Sequence, residues 1–220
     1  MTAAARRDRG RDRQELIVRA AAQMIAERGL AQVRVADVAE RAGISTGHVT
    51  YYFPTKTALL MAAIRDSEEQ LIAEVERTVA RVRDPWRRLE RLIALSASTG
   101  SGDQGWVLWL QVWHEASLDP EVAAVQDSLD SRWRSVLADV LRYGADRGAF
   151  DVVDADASAR VLSAMVDGLS IQTTLGARGA APGDVLALFL AAARTLLTPS
   201  RAEPATGAAP ARRQGGAPCS

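Results

Sequence analysis

The residues from Val35 to Lys56, VADVAERAGISTGHVTYYFPTK, leave the backbone little choice. Val35, Val38, Ala39 and Ala42 recur at helical spacing and give a short helix one apolar face. Gly43 stops it, because glycine takes the left-handed conformation past a helix C-terminus without a Cβ penalty. Ile44 is an apolar plug in the turn, and the Ser45 hydroxyl is placed to accept a free backbone N–H and cap the next helix. That helix runs from Thr46 to about Tyr52. Pro54 cannot continue it, and Thr55 can cap a third helix that opens with Lys56. Two short helices joined by a tight glycine-containing turn form a helix-turn-helix, whose second helix enters the DNA major groove.

The competing interpretation is an ordinary helical hairpin in a core. The second helix is too polar for that, with Thr46, His48, Thr50, Tyr51 and Tyr52 in seven residues. Gly47 lets its backbone approach another surface closely. Lys56, the only lysine, sits at a helix N-terminus where its charge opposes the dipole and a phosphate would compensate.

These residues resemble the DNA-binding domain of TetR-type transcriptional regulators. The resemblance rests on Val38-Ala39, Ala42-Gly43-Ile44-Ser45, Thr46, Gly47, Tyr51-Tyr52-Phe53, Lys56 and Leu59. Arg34 departs from it, standing where many members have a Thr or Ser cap, and so does Thr50, where many have Tyr. The resemblance implies that Thr46, His48, Tyr51 and Thr50 meet base edges, with Ser45 and Gly47 at the start of that helix. It also implies that Tyr52, Lys56 and Arg34 hold phosphates.

Charge is unevenly placed. Residues 1–56 hold ten basic and six acidic side chains, net +4, whereas residues 57–197 hold fourteen and twenty, net −6. A basic head on an acidic remainder fits a nucleic-acid reader with a second domain. Within 1–13, Arg6, Arg7, Arg9, Arg11 and Arg13 outnumber Asp8 and Asp12. This segment reads as a frayed terminus or as a flexible basic arm reaching phosphates or a minor groove. Residues 14–56 form the helix-turn-helix domain, opened by a helix with the stripe Leu16, Ile17, Ala20, Ala21, Met24 and Ile25 and ended by Gly29. Residues 57–198 form a helical ligand-binding and dimerisation domain, and 199–220 read as a disordered Pro/Ala/Gly-rich tail holding the sole cysteine, Cys219. The chain shows no signal peptide and no apolar run long enough to span a membrane, and it offers no disulfide framework, which points to the cytoplasm.

From Lys56, residues Leu59 to Val82 keep returning to one face without Gly or Pro until Pro85. This predicts a helix of about 28 residues, roughly 40 Å long, shared by both domains. Further helices are expected from Pro85 to about Thr99, around Trp106–Glu115, from Pro120 towards Gly148, from Asp154 or Asp156 to Gly176, and from about Pro182 to Leu197. The fold class is all-α, about nine helices. The last two helices are apolar on more than one side, which predicts a two-fold homodimer through Val161, Met165, Leu169, Leu186, Phe189 and Leu190.

Trp106, Trp109 and Trp113 fall on one helix, with Trp133 and Trp86 elsewhere, in a chain with 5% aromatics. Packing explains such a stripe; so does a pocket for an organic cation, by cation–π attraction with nearby acids. Glu115 and Asp167 are the candidate acids, and Gln111, His114, Ser170, Gln172 and Thr173 the polar contacts. The stretches Trp109–Ala116, Asp119-Pro120-Glu121, Gly148-Ala149-Phe150 and Asp167-Gly168-Leu169 resemble the BetI-like, choline-responsive branch of the same family. No catalytic motif, metal-ligand spacing or phosphate loop occurs, so neither an enzyme nor a cofactor is expected. The sequence therefore predicts a homodimeric repressor of a palindromic operator, released by a small-molecule effector. The alternative is a helical dimeric binding protein without sequence-specific DNA binding.

Overall fold

The computed structural model describes residues 3–177 and 183–198. Among them are nine α-helices: α1 (Ala3–Arg28), α2 (Val35–Ala42), α3 (Thr46–Tyr52), α4 (Lys56–Ala80), α5 (Pro85–Ser96), α6 (Gln104–Ala116), α7 (Pro120–Ala145), α8 (Ala155–Thr174) and α9 (Asp184–Leu197). A short 3-10 turn at Leu30–Gln32 joins α1 to α2, and no strand occurs among the described residues. None of the described helices is long and apolar enough to cross a membrane. The expected tail, with Cys219, lies outside the described residues, as does the Pro182 start expected for the last helix.

Local chemistry sets the boundaries. The side chains of Ser45, Thr55, Asp84, Asp103, Asp119 and Asp154 each accept a first-turn backbone N–H of the helix that follows. Gly43 has φ 68°, and the N–H of Ile44 bonds back to the Ala39 carbonyl, which closes α2 and sets the angle to α3.

Two helices differ in extent from the expectation. The first begins at Ala3, so that the segment expected as an arm is continuous with α1. Alanine and arginine are good helix formers, and the single Gly10 does not outweigh them. The long helix ends at Ala80, short of Pro85, because the Arg88 guanidinium reaches back to the carbonyls of Ala80 (2.9 Å) and Val82 (2.8 Å). A terminus satisfied by a side chain from the next helix leaves no mark on apolar periodicity.

The apolar residues divide into two cores. One gathers α1, α2 and α3 with Leu59, Leu60, Met61, Ala63 and Ile64 of α4, and takes in Val112, Val122 and Leu129 from α6 and α7. The other joins Ile72, Val75 and Val79 of α4 to α5, α7, α8 and α9. At 25 residues, α4 is roughly 38 Å long and supplies buried side chains to each core, as α7 also does through Val122 and Leu129 in the first and Val136 to Leu141 in the second.

At the end of α7, Gly144 lies against the buried Phe150, which meets Trp86 edge to face at 4.8 Å. A Cβ at position 144 would overlap the Phe150 ring. Gly144→Ala is therefore expected to lower the urea unfolding free energy by about 1–3 kcal/mol. An unchanged midpoint would mean that this corner repacks freely.

Candidate reading head and effector cavity

Helix α3 presents a polar surface because only one of its side chains, Val49, is buried. Thr46, Gly47, His48, Thr50 and Tyr51 are exposed, Tyr51 by 78%, and exposed Ser45, Arg34 and Lys56 flank them. Tyr52 is half-buried; it packs on the first core and meets the Tyr51 ring edge-on at 5.2 Å. The residues expected at DNA thus share one surface, but their free groups differ. The Ser45 hydroxyl accepts the His48 backbone N–H and lies 2.8 Å from His48 Nδ1, which leaves Nε2 facing outward. The Thr50 hydroxyl donates back to the carbonyls of Thr46 and Gly47, and Lys56 Nζ lies 3.4 Å from the Ala31 carbonyl oxygen. Arg41 grips Glu27 with two bonds of 2.7 and 2.8 Å, fixing α2 on α1 and holding Glu27 below its usual range.

Beside α4 lies a cavity of about 270 Å³ between α5, α6, α7 and α8. Trp106, Trp109 and Trp113 of α6 line it with Trp133 of α7; the rings of Trp106 and Trp109 stand 6.1 and 6.2 Å from that of Trp113. Two indole N–H groups pin their rings, Trp106 donating to the Ser96 carbonyl and Trp133 to Glu68, both at 3.2 Å.

Glu68 of α4, Asp130 of α7 and Asp167 of α8 also line it, and no lysine or arginine does. Burial raises the Glu68 carboxyl above its ordinary range, partly offset by the indoles of Trp133 and Trp109. Asp130 is pushed up to about 6 by burial and by Asp127, against the pull of Arg134. Asp167 is likewise pushed up to about 6, by burial and then by Asp130, again opposed by Arg134. Gln126 donates to Asp130. Asp103, at the mouth, differs: burial alone would raise it, but the N–H groups of Thr99, Trp106 and Gly105 and the Thr99 hydroxyl hold it below its usual range. Among the described residues no three His, Cys, Asp or Glu side chains are grouped to hold a metal ion. What the cavity offers is aromatic faces with dispersed negative charge, which suits an organic cation.

Of the residues expected at the pocket, Trp106, Trp109, Trp113 and Asp167 line this cavity and Gln111, His114, Glu115 and Gln172 do not. His114, Glu115 and Gln172 are exposed elsewhere, and Gln111 lines a second cavity. Proximity to tryptophan along the sequence is not proximity on the helix: Glu115 sits two residues from Trp113, on another face. Glu68 and Asp130 were missed. Their signal was an acid at helical spacing within an apolar stripe, Glu68 four after Ile64 and Asp130 three before Trp133.

The residues expected at the dimer surface differ in exposure within the single chain. Phe189 is fully buried within the chain, and Met165, Leu169, Leu186 and Leu190 are half-buried against the second core. Val161 is 56% exposed, and with Leu188 at 53% it marks the open faces of α8 and α9. A helix apolar all round does not reveal which side its own chain covers.

Comparison with known proteins agrees with this geometry. Residues 17–63 match the model described as bacterial regulatory proteins, tetR family, and residues 85–198 that of the BetI-type transcriptional repressor, C-terminal. The HTH-type transcriptional regulator BetI of Stenotrophomonas maltophilia is 33% identical, the match covering 74% of this chain and 82% of that protein. Its counterpart in Burkholderia lata is 32% identical over the same shares. A transcriptional regulator from Saccharomonospora viridis, crystallised in complex with choline, superposes with TM-score 0.69 at 31% identity, covering 84% of this chain and 96% of that one. A TetR transcription regulator from Haloarcula marismortui gives TM-score 0.69 at 25% identity, covering 84% and 98%.

The aspartates make cation binding depend on pH. In the empty cavity ionisation is opposed, so the stability these groups contribute is greatest at low pH and is lost as pH rises through about 6. A bound cation favours the ionised forms, so its affinity runs the other way. Tryptophan fluorescence titration with tetramethylammonium, a bare organic cation, is expected to show affinity about tenfold lower at pH 5 than at pH 7.5. A flat profile would remove these aspartates from the site.

Proposed function

The chain belongs to the TetR family of bacterial transcriptional regulators, with a BetI-type repressor domain, and from that premise we propose that it is a homodimeric cytoplasmic repressor released from a palindromic operator by an organic cation. The observation that carries the effector reading is the cavity itself: four tryptophans and four carboxylates, Glu68, Asp103, Asp130 and Asp167, line it, with no basic side chain among them. The choline complex of the similar Saccharomonospora viridis regulator supports the same chemistry.

At the DNA end, α3 lies in the major groove. Thr46, His48 and Tyr51 meet base edges, while Thr50, whose hydroxyl is turned onto its own helix, contributes its methyl group. Arg34 and Tyr52 hold phosphates, and Lys56 exchanges its long contact with Ala31 for one. Gly47 argues for close approach, because its fold does not require glycine: a Cβ there would meet only Ser45 Oγ, at 4.0 Å. Two copies joined through the open faces of α8 and α9, around Val161 and Leu188, place two α3 helices on one duplex. Effector binding shifts α4 and with it the separation of the heads; a coupling of about 1–3 kcal/mol suffices.

Selection of random duplexes by the purified chain is expected to enrich a palindrome whose binding weakens with salt. Enrichment of no sequence by a folded dimer would favour the alternative binding module. Gly47→Ala is expected to leave thermal stability equal or slightly raised, by up to about 1 kcal/mol, yet weaken the selected duplex at least about tenfold. Tyr51→Ala is expected to weaken it similarly without unfolding the chain. Wild-type affinity in both variants would take α3 out of the groove.

A further inference from the structure

Of the four carboxylates that line the cavity, Asp103 is engaged in capping bonds to Thr99 and Trp106; the other three belong to helices with different mechanical neighbours. Asp130 on α7 and Asp167 on α8 sit on helices packed against each other in the second core, although α7 also places Val122 and Leu129 in the first. Glu68 sits on α4, in the stretch between Ile64, its last residue in the first core, and Ile72, its first in the second. Burial shifts all three, but only the aspartates are electrostatically tied to one another, Asp130 adding to the shift of Asp167.

Glu68 is also tethered. It accepts the indole N–H of Trp133 at 3.2 Å, a cross-link between α4 and α7 at the height of the cavity. Behind it lies a second cavity of about 240 Å³ between α1, α4 and α6, and Glu68 and Gly105 line both. Small residues, Ala22, Gly29, Ala63 and Ser67, wall this second space. It leaves unfilled space between α4, α1 and α6, beside the larger Ile25, Ile64 and Leu108, in a protein interior that otherwise tolerates little displacement.

The geometry of an indole forces a choice on Glu68. The N–H lies in the ring plane, whereas a cation is attracted over the ring face. A carboxylate that moves to neutralise a cation above the face leaves the in-plane position where it accepts the N–H. A cation within the box attracts every carboxylate in its wall, and only Glu68 among the three carries that pull to a helix of the reading head.

We propose, building on the organic-cation reading above, that these acids divide the work: Asp130 and Asp167 hold the cation, and Glu68 gives up Trp133 for it and thereby loosens α4 on α7, which the Arg132–Glu76 ion pair still joins. Glu68 is thus a positioning residue for the DNA-reading head, and the cavity behind it is the space into which the head moves.

The test uses the full chain, choline as probe, and the duplex recovered by selection, with sodium chloride matched for ionic strength. Choline affinity is read from tryptophan fluorescence, and duplex affinity is measured without and with saturating choline. Wild type should lose at least about tenfold in duplex affinity on saturation. Asp167→Asn should bind choline about tenfold more weakly, yet show the full loss once saturated. Glu68→Gln keeps the shape and an acceptor for Trp133 but no charge, so it should bind choline more weakly, as Asp167→Asn does, but unlike that variant keep its grip on the duplex when saturated. Trp133→Phe, which deletes the N–H and keeps an aromatic face, should hold the duplex more weakly before any choline is added. Full release by saturated Glu68→Gln, or tight duplex binding by a folded Trp133→Phe, would overturn the proposal. A wild-type chain that binds the duplex but not choline would instead contradict the effector reading on which it rests.

Discussion

Helix α4 cannot bend without cost, and the architecture depends on that. Its 25 residues carry an unbroken ladder of backbone bonds with no Pro or Gly to interrupt it. A kink would leave buried carbonyls and N–H groups unpaired, which is expensive. Each half of the helix is cemented into a different core, Leu59 to Ile64 in one and Ile72 to Val79 in the other. A rigid rod fixed at both ends passes displacement from one core to the other. The short segment between is where an input has leverage, and the cavity meets α4 there through Glu68 and Leu71.

The cavity is held in an unfavourable electrostatic state. Three carboxylates share an aromatic enclosure, and the donors nearby, two indoles, Gln126 and the more distant Arg134, offset their desolvation only in part. A buried charge without a full set of partners is a cost to the fold. That cost turns into affinity for any ligand that supplies positive charge and an apolar body. The aromatic rings can serve such a ligand because their polar edges are already engaged: Trp106 is fixed on the Ser96 carbonyl and Trp133 on Glu68, so faces are left for the guest.

Much of the reading head was legible in the sequence because its signals are local. Gly43, Ser45 and Thr55 act within one turn of themselves, and the helix limits at Ala42, Thr46 and Lys56 fall where those residues put them. The cavity was legible in its tryptophans and in Asp167, and not in its other acids. Glu68 is 65 residues from its partner Trp133, and no local rule connects them. Glu115 drew attention by standing next to the tryptophans in sequence, yet it points away from them in space. Phe189 shows the same limit from the other side: an apolar residue on a doubly greasy helix could face the chain's own core or a partner, and here it faces the core. Arg88, which ends α4 from the following helix, is a third contact of this kind.

The central claim is that one rigid helix makes the cation cavity and the DNA surface report on each other. Thermodynamic reciprocity tests this directly. Choline affinity would be measured by calorimetry for the free protein and for the protein saturated with its selected duplex, at one ionic strength. The account predicts weaker choline binding in the duplex complex, by the same factor by which choline weakens the duplex. Equal choline affinities in the two states would mean that the cavity and the reading head are independent, and would contradict it.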